Sequence, residues 1–295
     1  MIPLDLTGKV ALVTGVGDNQ SFAWFISKHL QAAGAKIVLA VHPRMVTIVN
    51  SFLTREHEED AKSRILPFGK GELKVEKVIP CDVSFDTMED VDEKTLNDRR
   101  YQKHGRYAIQ DMVETVGKEF GGIDILIHSV AFSPEITKKA VETSRSAYLT
   151  ALSISSYSLT SLCRYAEPYM ENREGGASVV GLTYLGGDRV VPHYGGGMST
   201  AKAALQIDAK QLSHNLGSKN IRVNLISAGP YASRAASAIG KIQDMIDYAA
   251  ERSPLPRGIT AEEVANATAF LCSPLASGIS GHVLYVDAGY NVMGV

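Results

Sequence analysis

Short apolar runs alternate with longer amphipathic segments over most of the chain. The runs fall at residues 9–14, 36–41, 75–80, 121–128, 177–183, 221–226 and 281–287. The first run is continuous in its apolar residues and does not alternate, which is typical of a strand buried on both faces of a sheet. Residues 109–120 repeat apolar positions at helical spacing. The pattern predicts an α/β fold, a Rossmann-type doubly wound parallel sheet of seven strands with helices on both faces.

Two segments depart from this alternation. Residues 86–106 are dense in both charge signs and show little helical periodicity. We interpret them as an insertion, either a solvated excursion or a loop that binds a partner. Residues 231–253 are rich in alanine and helical in pattern directly after the sixth strand, which predicts a mobile lid over a substrate. No linker or internal repeat is apparent, so residues 1–295 are predicted to form a single domain.

The turn after the first strand carries candidate phosphate-binding residues. Gly15 and Gly17 follow that strand, and Ser21 stands at the N-cap position of the next amphipathic segment. Glycines permit a tight turn and a close approach of pyrophosphate, which then lies on the helix N-terminus. A full dinucleotide fingerprint would place a third glycine at Gln20. A simple strand-to-helix turn therefore remains an alternative.

The ends of the second, third and fourth strands supply further candidates. No acidic residue follows the second strand to hold a ribose 2′-hydroxyl. His42 could flank an adenine there, and Arg44 could meet a 2′-phosphate, so this segment leaves the choice of cofactor open. Asp82 could accept a hydrogen bond from an adenine amine or could be a solvated turn residue. The small residues in 129–133 would let a nicotinamide approach the backbone.

Two tyrosines and a lysine follow the fifth strand, in the loop and the helix that come after it. They are Tyr184, Tyr194 and Lys202. A free phenol titrates near ~10, and a neighbouring ammonium lowers that pKa and makes the phenol a better proton donor. The eight-residue separation of Tyr194 and Lys202 brings them to one face only if the helix begins within residues 195–198.

Composition excludes several classes of function. The net charge is −2 without a long basic tract, so nothing indicates nucleic acid. No apolar run approaches ~18 residues and no leader precedes residue 10, which predicts no membrane association and a cytoplasmic location, or a stromal one after removal of a transit peptide. The three cysteines are widely spaced in apolar sequence and are expected to be buried, reduced thiols. We expect no metal site.

Together these motifs resemble the short-chain dehydrogenase/reductase superfamily. The glycine turn, the pair Tyr184 and Tyr194 with Lys202 eight residues beyond Tyr194, and residues 129–131, 226–230 and 291–295 resemble its divergent branch, the enoyl-acyl-carrier-protein reductases of type II fatty-acid synthesis. The resemblance covers essentially the whole chain. The tyrosine–lysine spacing and the insertion are similar to a plant-like or chlamydial type.

The resemblance implies a role for each candidate residue. Tyr184, Tyr194 and Lys202 would be catalytic, and Ser133 would touch the substrate together with the two tyrosines. NADH would bind the residues Gly15, Ser21, Phe22, His42, Asp82, Val83, Ser129, Val130, Lys202, Tyr231, Ala232, Ser233, Arg234 and Ala235.

The implied reaction is the transfer of hydride from NADH to an enoyl thioester carried by acyl carrier protein. A phenol would donate to the thioester oxygen as it becomes negative. Which tyrosine delivers the proton stays open. The resemblance also implies a homotetramer. An NADPH-dependent carbonyl reductase that uses Arg44, and a catalytically inactive nucleotide sensor, are the alternatives.

Overall fold

The sheet has the predicted size and connectivity. The computed structural model describes residues 4–237 and 240–294. Its strands are β1 Val10–Thr14, β2 Lys36–Val41, β3 Val75–Pro80, β4 Ile125–His128, β5 Ala177–Thr183, β6 Ile221–Ala228 and β7 Val283–Val286. They pair in parallel in the order β3-β2-β1-β4-β5-β6-β7. The predicted Rossmann-type sheet of seven strands is confirmed.

Helices cover both faces of this sheet. They are α1 Phe22–Ala32, α2 Val46–Thr54, α3 Glu58–Arg64, α4 Glu93–Leu96, α5 Arg99–Gln102, α6 Ile109–Phe120, α7 Arg145–Leu152, α8 Ser158–Met170, α9 Met198–Gly217, α10 Arg234–Ser237, α11 Ile242–Arg252 and α12 Ala261–Cys272. Trp24 of α1 packs with Val264 of α12 in one core cluster. Met112 of α6 and Leu205 of α9 belong to a second cluster. Cys81, Cys163 and Cys272 are buried and free, as expected.

Helix ends and turns show how local sequence sets the elements. Thr260 and Glu263 form a reciprocal capping box at the start of α12, because each side chain bonds the other residue's backbone N–H. A π-helical turn at Ser153–Tyr157 joins α7 directly to α8. Ser155 in that turn accepts from the Phe132 backbone N–H at 3.0 Å. Turns of this kind are frequent at functional sites.

The insertion at residues 86–106 is packed against the rest of the fold. Val91, Tyr101 and Tyr107 form a small buried cluster with Phe85 and Met88. Most of the remaining residues of the insertion are exposed, so the segment is a solvated excursion that a few buried side chains anchor to the fold. The charged residues of α4 and α5 are exposed. The apolar side chains that anchor the segment are too few to produce a helical period in the sequence.

Candidate active site

One cleft opens at the carboxyl edge of the sheet, where β1 and β4 lie side by side. Its volume is about 330 Å³. Gly15 follows β1 and Ser129 follows β4, while Thr183 and Ala228 end β5 and β6. The strand order reverses between β1 and β4, so the connections after these strands leave on opposite faces and form a crevice. Ten of the predicted site residues line this crevice.

The glycine turn has the shape needed to hold a pyrophosphate. Gly15 has a φ of +86°, and a Cβ added there would lie 2.0 Å from the Ser129 carbonyl oxygen. Ser21 caps α1 by accepting from the Trp24 N–H at 3.3 Å. The first turn of α1 holds no acidic side chain, so the free N–H groups and the helix dipole can attract an anion. The turn fits a dinucleotide even though Gln20 replaces the third glycine.

Replacing Gly15 with Ala is expected to destabilise the fold and to weaken dinucleotide binding. An L-residue in the left-handed backbone conformation costs about 1–2 kcal/mol. The new Cβ would also clash with the Ser129 carbonyl, which is part of the backbone and cannot rotate away as a side chain could. The measurements are the melting temperature and a fluorescence titration with cofactor. Gly17→Ala is the control for stability, since nothing lies within 4 Å of its added Cβ. Equal melting temperatures for the two variants would contradict this packing.

The two candidate tyrosines form a pair on the cleft wall. Tyr184 and Tyr194 stand edge to face with ring centroids 4.8 Å apart and 66° between the ring planes. A Cβ at Gly186 would come within 2.7 Å of the Tyr194 ring, so glycine there makes room for the pair. Burial raises the pKa of both phenols. The expected lowering of the Tyr194 pKa by Lys202 is therefore wrong in this structure, and both phenols are neutral hydrogen-bond donors.

Lys202 lies in the same cleft because α9 begins at Met198, within the required window. Only 4% of the residue is exposed. Its Nζ donates to the Leu182 carbonyl oxygen at 2.7 Å, which fixes the ammonium and leaves two of its three donors for a ligand. Burial lowers the pKa of Lys202 to about 8. The sequence predicted that the Lys202 ammonium would act on the Tyr194 phenol. In the structure the ammonium donates to Leu182, near the end of β5.

A chain of hydrogen bonds joins the ends of β2 and β3. The Arg44 backbone N–H donates to His42 Nδ1 at 3.2 Å, so the His42 ring carries its proton on Nε2. That nitrogen lies 3.0 Å from the Tyr101 hydroxyl, which donates to the Asp82 carboxylate at 2.7 Å. Burial alone would raise the pKa of Asp82, but the hydrogen bonds from His42 and Tyr101 hold it well below its usual range. Asp82 is thus an ordered carboxylate, and the solvated-turn alternative does not apply.

The predicted residues separate by position into three groups. Ten line the cleft: Gly15, Ser21, Phe22, Ser129, Val130, Tyr184, Tyr194, Lys202, Tyr231 and Ser233. His42, Asp82 and Val83 lie beyond it, at the ends of β2 and β3, and Ala232 is exposed next to Tyr231. The side chains of Arg234 and Ala235 lie outside the described part of the structure.

The structure revises the position of Ser133. This residue is buried, and its hydroxyl donates to the Gly196 carbonyl oxygen at 2.6 Å while accepting from the Glu135 N–H. It does not line the cleft, among the residues that the structure describes. In the structure Ser133 is not positioned to touch a substrate in the cleft. Its hydroxyl stabilises the glycine loop that follows Tyr194. Sequence reasoning missed this because the partner is more than 60 residues away.

Several residues of the site carried no recognisable motif. Apolar side chains make up much of the remaining lining of the cleft: Phe132, Ile136, Met198, Ile242 and Met245. Apolar residues of this kind are read as core when only the sequence is available. Their convergence gives the cleft an apolar compartment next to the tyrosine pair, which suits an acyl chain or another apolar group.

Two expected absences concern metals and membranes. Within residues 4–237 and 240–294, no group of three or more histidine, cysteine or carboxylate side chains is arranged to hold a metal ion. No helix in that same part of the chain is long and apolar enough to cross a membrane. The cytoplasmic location stays a prediction.

A sheet of this order, with a glycine turn at the switch point and a tyrosine–lysine wall, defines a dinucleotide-dependent oxidoreductase of the short-chain dehydrogenase/reductase type. A family model described as enoyl-(acyl carrier protein) reductase matches residues 105–291. The chain belongs to the NADH-dependent enoyl-acyl-carrier-protein reductase family.

Individual relatives agree with that assignment. The chloroplastic enoyl-[acyl-carrier-protein] reductase [NADH] of Arabidopsis thaliana is 47% identical over 100% of this chain and 74% of its own length. The crystal structure of the Plasmodium berghei enoyl-acyl-carrier-protein reductase with triclosan has a TM-score of 0.89 at 38% identity and covers 97% of this chain and 98% of that one. The Anaplasma phagocytophilum reductase in complex with NAD has a TM-score of 0.77 at 32% identity, over 99% of this chain and 97% of that one.

Proposed function

We propose that the chain reduces the trans-2 double bond of enoyl-acyl-carrier-protein thioesters with NADH, as a step of type II fatty-acid synthesis. The observation that carries the proposal is the placement of the Tyr184–Tyr194 pair and Lys202 in one cleft with the glycine turn. The glycine turn would supply the phosphate-binding groups of this cleft, and the two phenols would supply neutral hydrogen-bond donors. The apolar lining lies beside the phenols.

The glycine turn and the N-terminus of α1 would hold the NADH pyrophosphate, with Ser21 and Phe22 beside it. Ser129 and Val130 would lie along the nicotinamide half, and Tyr231 to Ala235 would cover it. His42, Asp82 and Val83 would bind the adenosine. When bound, NADH supplies the hydride for the β-carbon of the substrate.

The tyrosine pair would stabilise the charge that develops on the substrate. Addition at the β-carbon places negative charge on the thioester oxygen as an enolate. Tyr194 would donate a hydrogen bond to that oxygen in a site that is largely shielded from water, where a neutral donor is strong because the effective dielectric constant is low. Its raised pKa keeps the proton on the phenol until the enolate forms. Tyr184 packs against Tyr194 and could assist or relay the proton.

Lys202 would fix the nicotinamide ribose. Its ammonium is already anchored on Leu182, and its remaining donors suit two ribose hydroxyls. This anchoring supports orientation of the cofactor relative to the phenols as the main role of Lys202.

The segment at residues 231–253 is proposed to act as a lid of a single catalytic domain. Ile242 and Met245 of α11 line the cleft, and the Tyr231 ring lies against the Phe22 ring with centroids 5.0 Å apart. These contacts support closure over both substrate and cofactor. Residues 238 and 239, which fall within the proposed lid, lie outside the described residues.

Acyl carrier protein as the substrate carrier and a homotetrameric assembly are further parts of the proposal. Large apolar side chains are exposed on neighbouring helices: Tyr148 and Leu149 on α7 and Ile207 on α9. An exposed group of this kind supports burial against other copies of the chain. Light scattering of the purified protein at several concentrations measures the assembly directly.

The proposed reaction is tested by cofactor oxidation with two substrate classes. Crotonyl-acyl-carrier-protein and a panel of ketones are each offered with NADH and with NADPH, and loss of reduced-cofactor absorbance is followed. We expect turnover of the enoyl thioester with NADH. Turnover of ketones with NADPH would instead support the carbonyl-reductase alternative, and binding without turnover would support the nucleotide sensor.

A further inference from the structure

The insertion at residues 86–106 is attached to the connection that follows β2. His104 Nε2 lies 2.9 Å from the Pro43 carbonyl oxygen, and Lys103 donates to the Thr47 hydroxyl at 3.1 Å. The Tyr101 ring is buried and stands edge-on to His42, with centroids 5.7 Å apart. The insertion therefore forms part of the adenosine end of the site.

The connection after β2 is where Rossmann folds distinguish NADH from NADPH. An acidic residue there binds the free 2′-hydroxyl, whereas an arginine nearby accommodates a 2′-phosphate. This chain has Arg44 and no acid in residues 41–44. Its own connection would thus suit the phosphorylated cofactor, yet the chain belongs to an NADH-dependent family.

Two side chains of the insertion hold Arg44. Its guanidinium donates to the Asp98 carboxylate at 3.0 Å and lies 5.3 Å from the centroid of the Tyr101 ring. Carboxylate pairing and aromatic stacking are the two contacts that orient a guanidinium most effectively. Arg44 is therefore occupied by the insertion and is not free to meet a phosphate.

The Asp98 carboxylate is itself fixed. It caps α5 by accepting from the Arg100 backbone N–H at 2.9 Å, and it accepts from the Arg100 guanidinium at 2.8 and 3.1 Å. Hydrogen bonds from the Arg100 side chain and backbone hold the pKa of Asp98 well below its usual range. A permanent negative charge thus stands beside Arg44, and both neighbouring guanidinium groups are already paired with it.

We propose that the insertion is a cofactor-selectivity element in which Asp98 pairs with Arg44 and so withholds it from the 2′-phosphate of NADPH. The inference rests on the dinucleotide site proposed above and assigns the preference for NADH to a segment outside the sheet. An acidic residue after β2 sets the preference for NADH in other Rossmann folds. Here Asp98 would do so from the insertion, by pairing with Arg44.

The test compares NADH and NADPH in the Asp98→Asn variant. Asparagine preserves the N-cap of α5, so the change removes the charge with little effect on the local fold. We expect the ratio of NADPH to NADH affinity, measured by fluorescence titration, to rise about tenfold, as one released charge-assisted hydrogen bond would give. The same ratio of kcat/KM values with crotonyl-acyl-carrier-protein should rise in parallel. Adding Arg44→Ala to Asp98→Asn should remove the gain.

Glu93→Gln is the matched control, because it removes the same charge from the same insertion at an exposed side chain. It should leave the ratio unchanged. Retained NADH turnover in each variant shows that the reductase function stands independently of this inference. An unchanged ratio in Asp98→Asn, or a gain that survives the loss of Arg44, would overturn the inference. So would a large loss of NADPH affinity in Arg44→Ala alone, since Arg44 would then already bind the phosphate.

Discussion

Tyr194→Phe is expected to lower kcat by ~10²–10³-fold, or about 2.7–4 kcal/mol, the usual cost of removing one oxyanion donor. The ring remains, so the edge-to-face contact with Tyr184 and the shape of the cleft are preserved. Only the donor to the developing enolate is lost. NADH affinity should stay at the wild-type value, because the phenol acts on the substrate. Steady-state kinetics and a separate NADH titration measure the two effects.

The control for Tyr194→Phe is Tyr157→Phe. This variant also removes one hydroxyl, but the Tyr157 hydroxyl donates to Asp86 outside the cleft. It should retain wild-type kcat. A Tyr194→Phe enzyme with near-wild-type kcat, or with a change confined to KM, would remove Tyr194 from the catalytic role.

Lys202→Met is expected to weaken NADH binding and turnover together. Hydrogen bonds from a charged donor contribute about 1.5–3 kcal/mol, which corresponds to roughly 10–150-fold in affinity. Methionine fills a similar volume, and removal of a buried charge should not lower the melting temperature. Lys210→Met, at an exposed position of the same helix, is the control and should bind NADH normally. Unchanged NADH affinity in Lys202→Met would contradict the ribose role.

The Lys202 pKa also predicts a pH dependence. Burial lowers this pKa to about 8, so the free enzyme loses the ammonium as the pH rises through that value. Bound NADH carries negative charge and would raise the pKa of Lys202. By linkage, NADH affinity should be highest below pH 8, decline above it, and level off where the cofactor-bound lysine loses its proton. Lys202→Met should abolish this decline, which titrations across the pH range would show.

Local sequence was sufficient for the sheet and for the glycine turn. The runs at residues 36–41 and 177–183 coincide with β2 and β5, because strands buried on both faces are almost continuously apolar. The capping box of Thr260 and Glu263 is equally local, since its two partners lie three residues apart. These features depend on neighbours in the sequence.

The burial and the long-range contacts of the site residues could not be predicted from the local sequence. Sequence reasoning placed Lys202 beside the phenol and predicted a lowered pKa, but in the fold the burial of Tyr194 dominates and raises it. The sequence predicted a solvated insertion, and its charge density gave no sign of the contacts that anchor it to the fold. Its anchoring depends on the fit of Tyr101 between His42 and Asp82, about 60 and 20 residues away. Burial and long-range contacts are properties of the packed chain.

The most direct measurement of the central claim follows the hydride itself. NADH labelled with deuterium at the transferred position is turned over with crotonyl-acyl-carrier-protein, and the product is analysed by mass spectrometry and NMR. The proposed mechanism predicts a saturated butyryl thioester with deuterium on the β-carbon and a solvent proton on the α-carbon. Deuterium on a carbon that bears a new hydroxyl, with the double bond intact, would show carbonyl reduction and contradict the roles assigned to Tyr194 and Lys202.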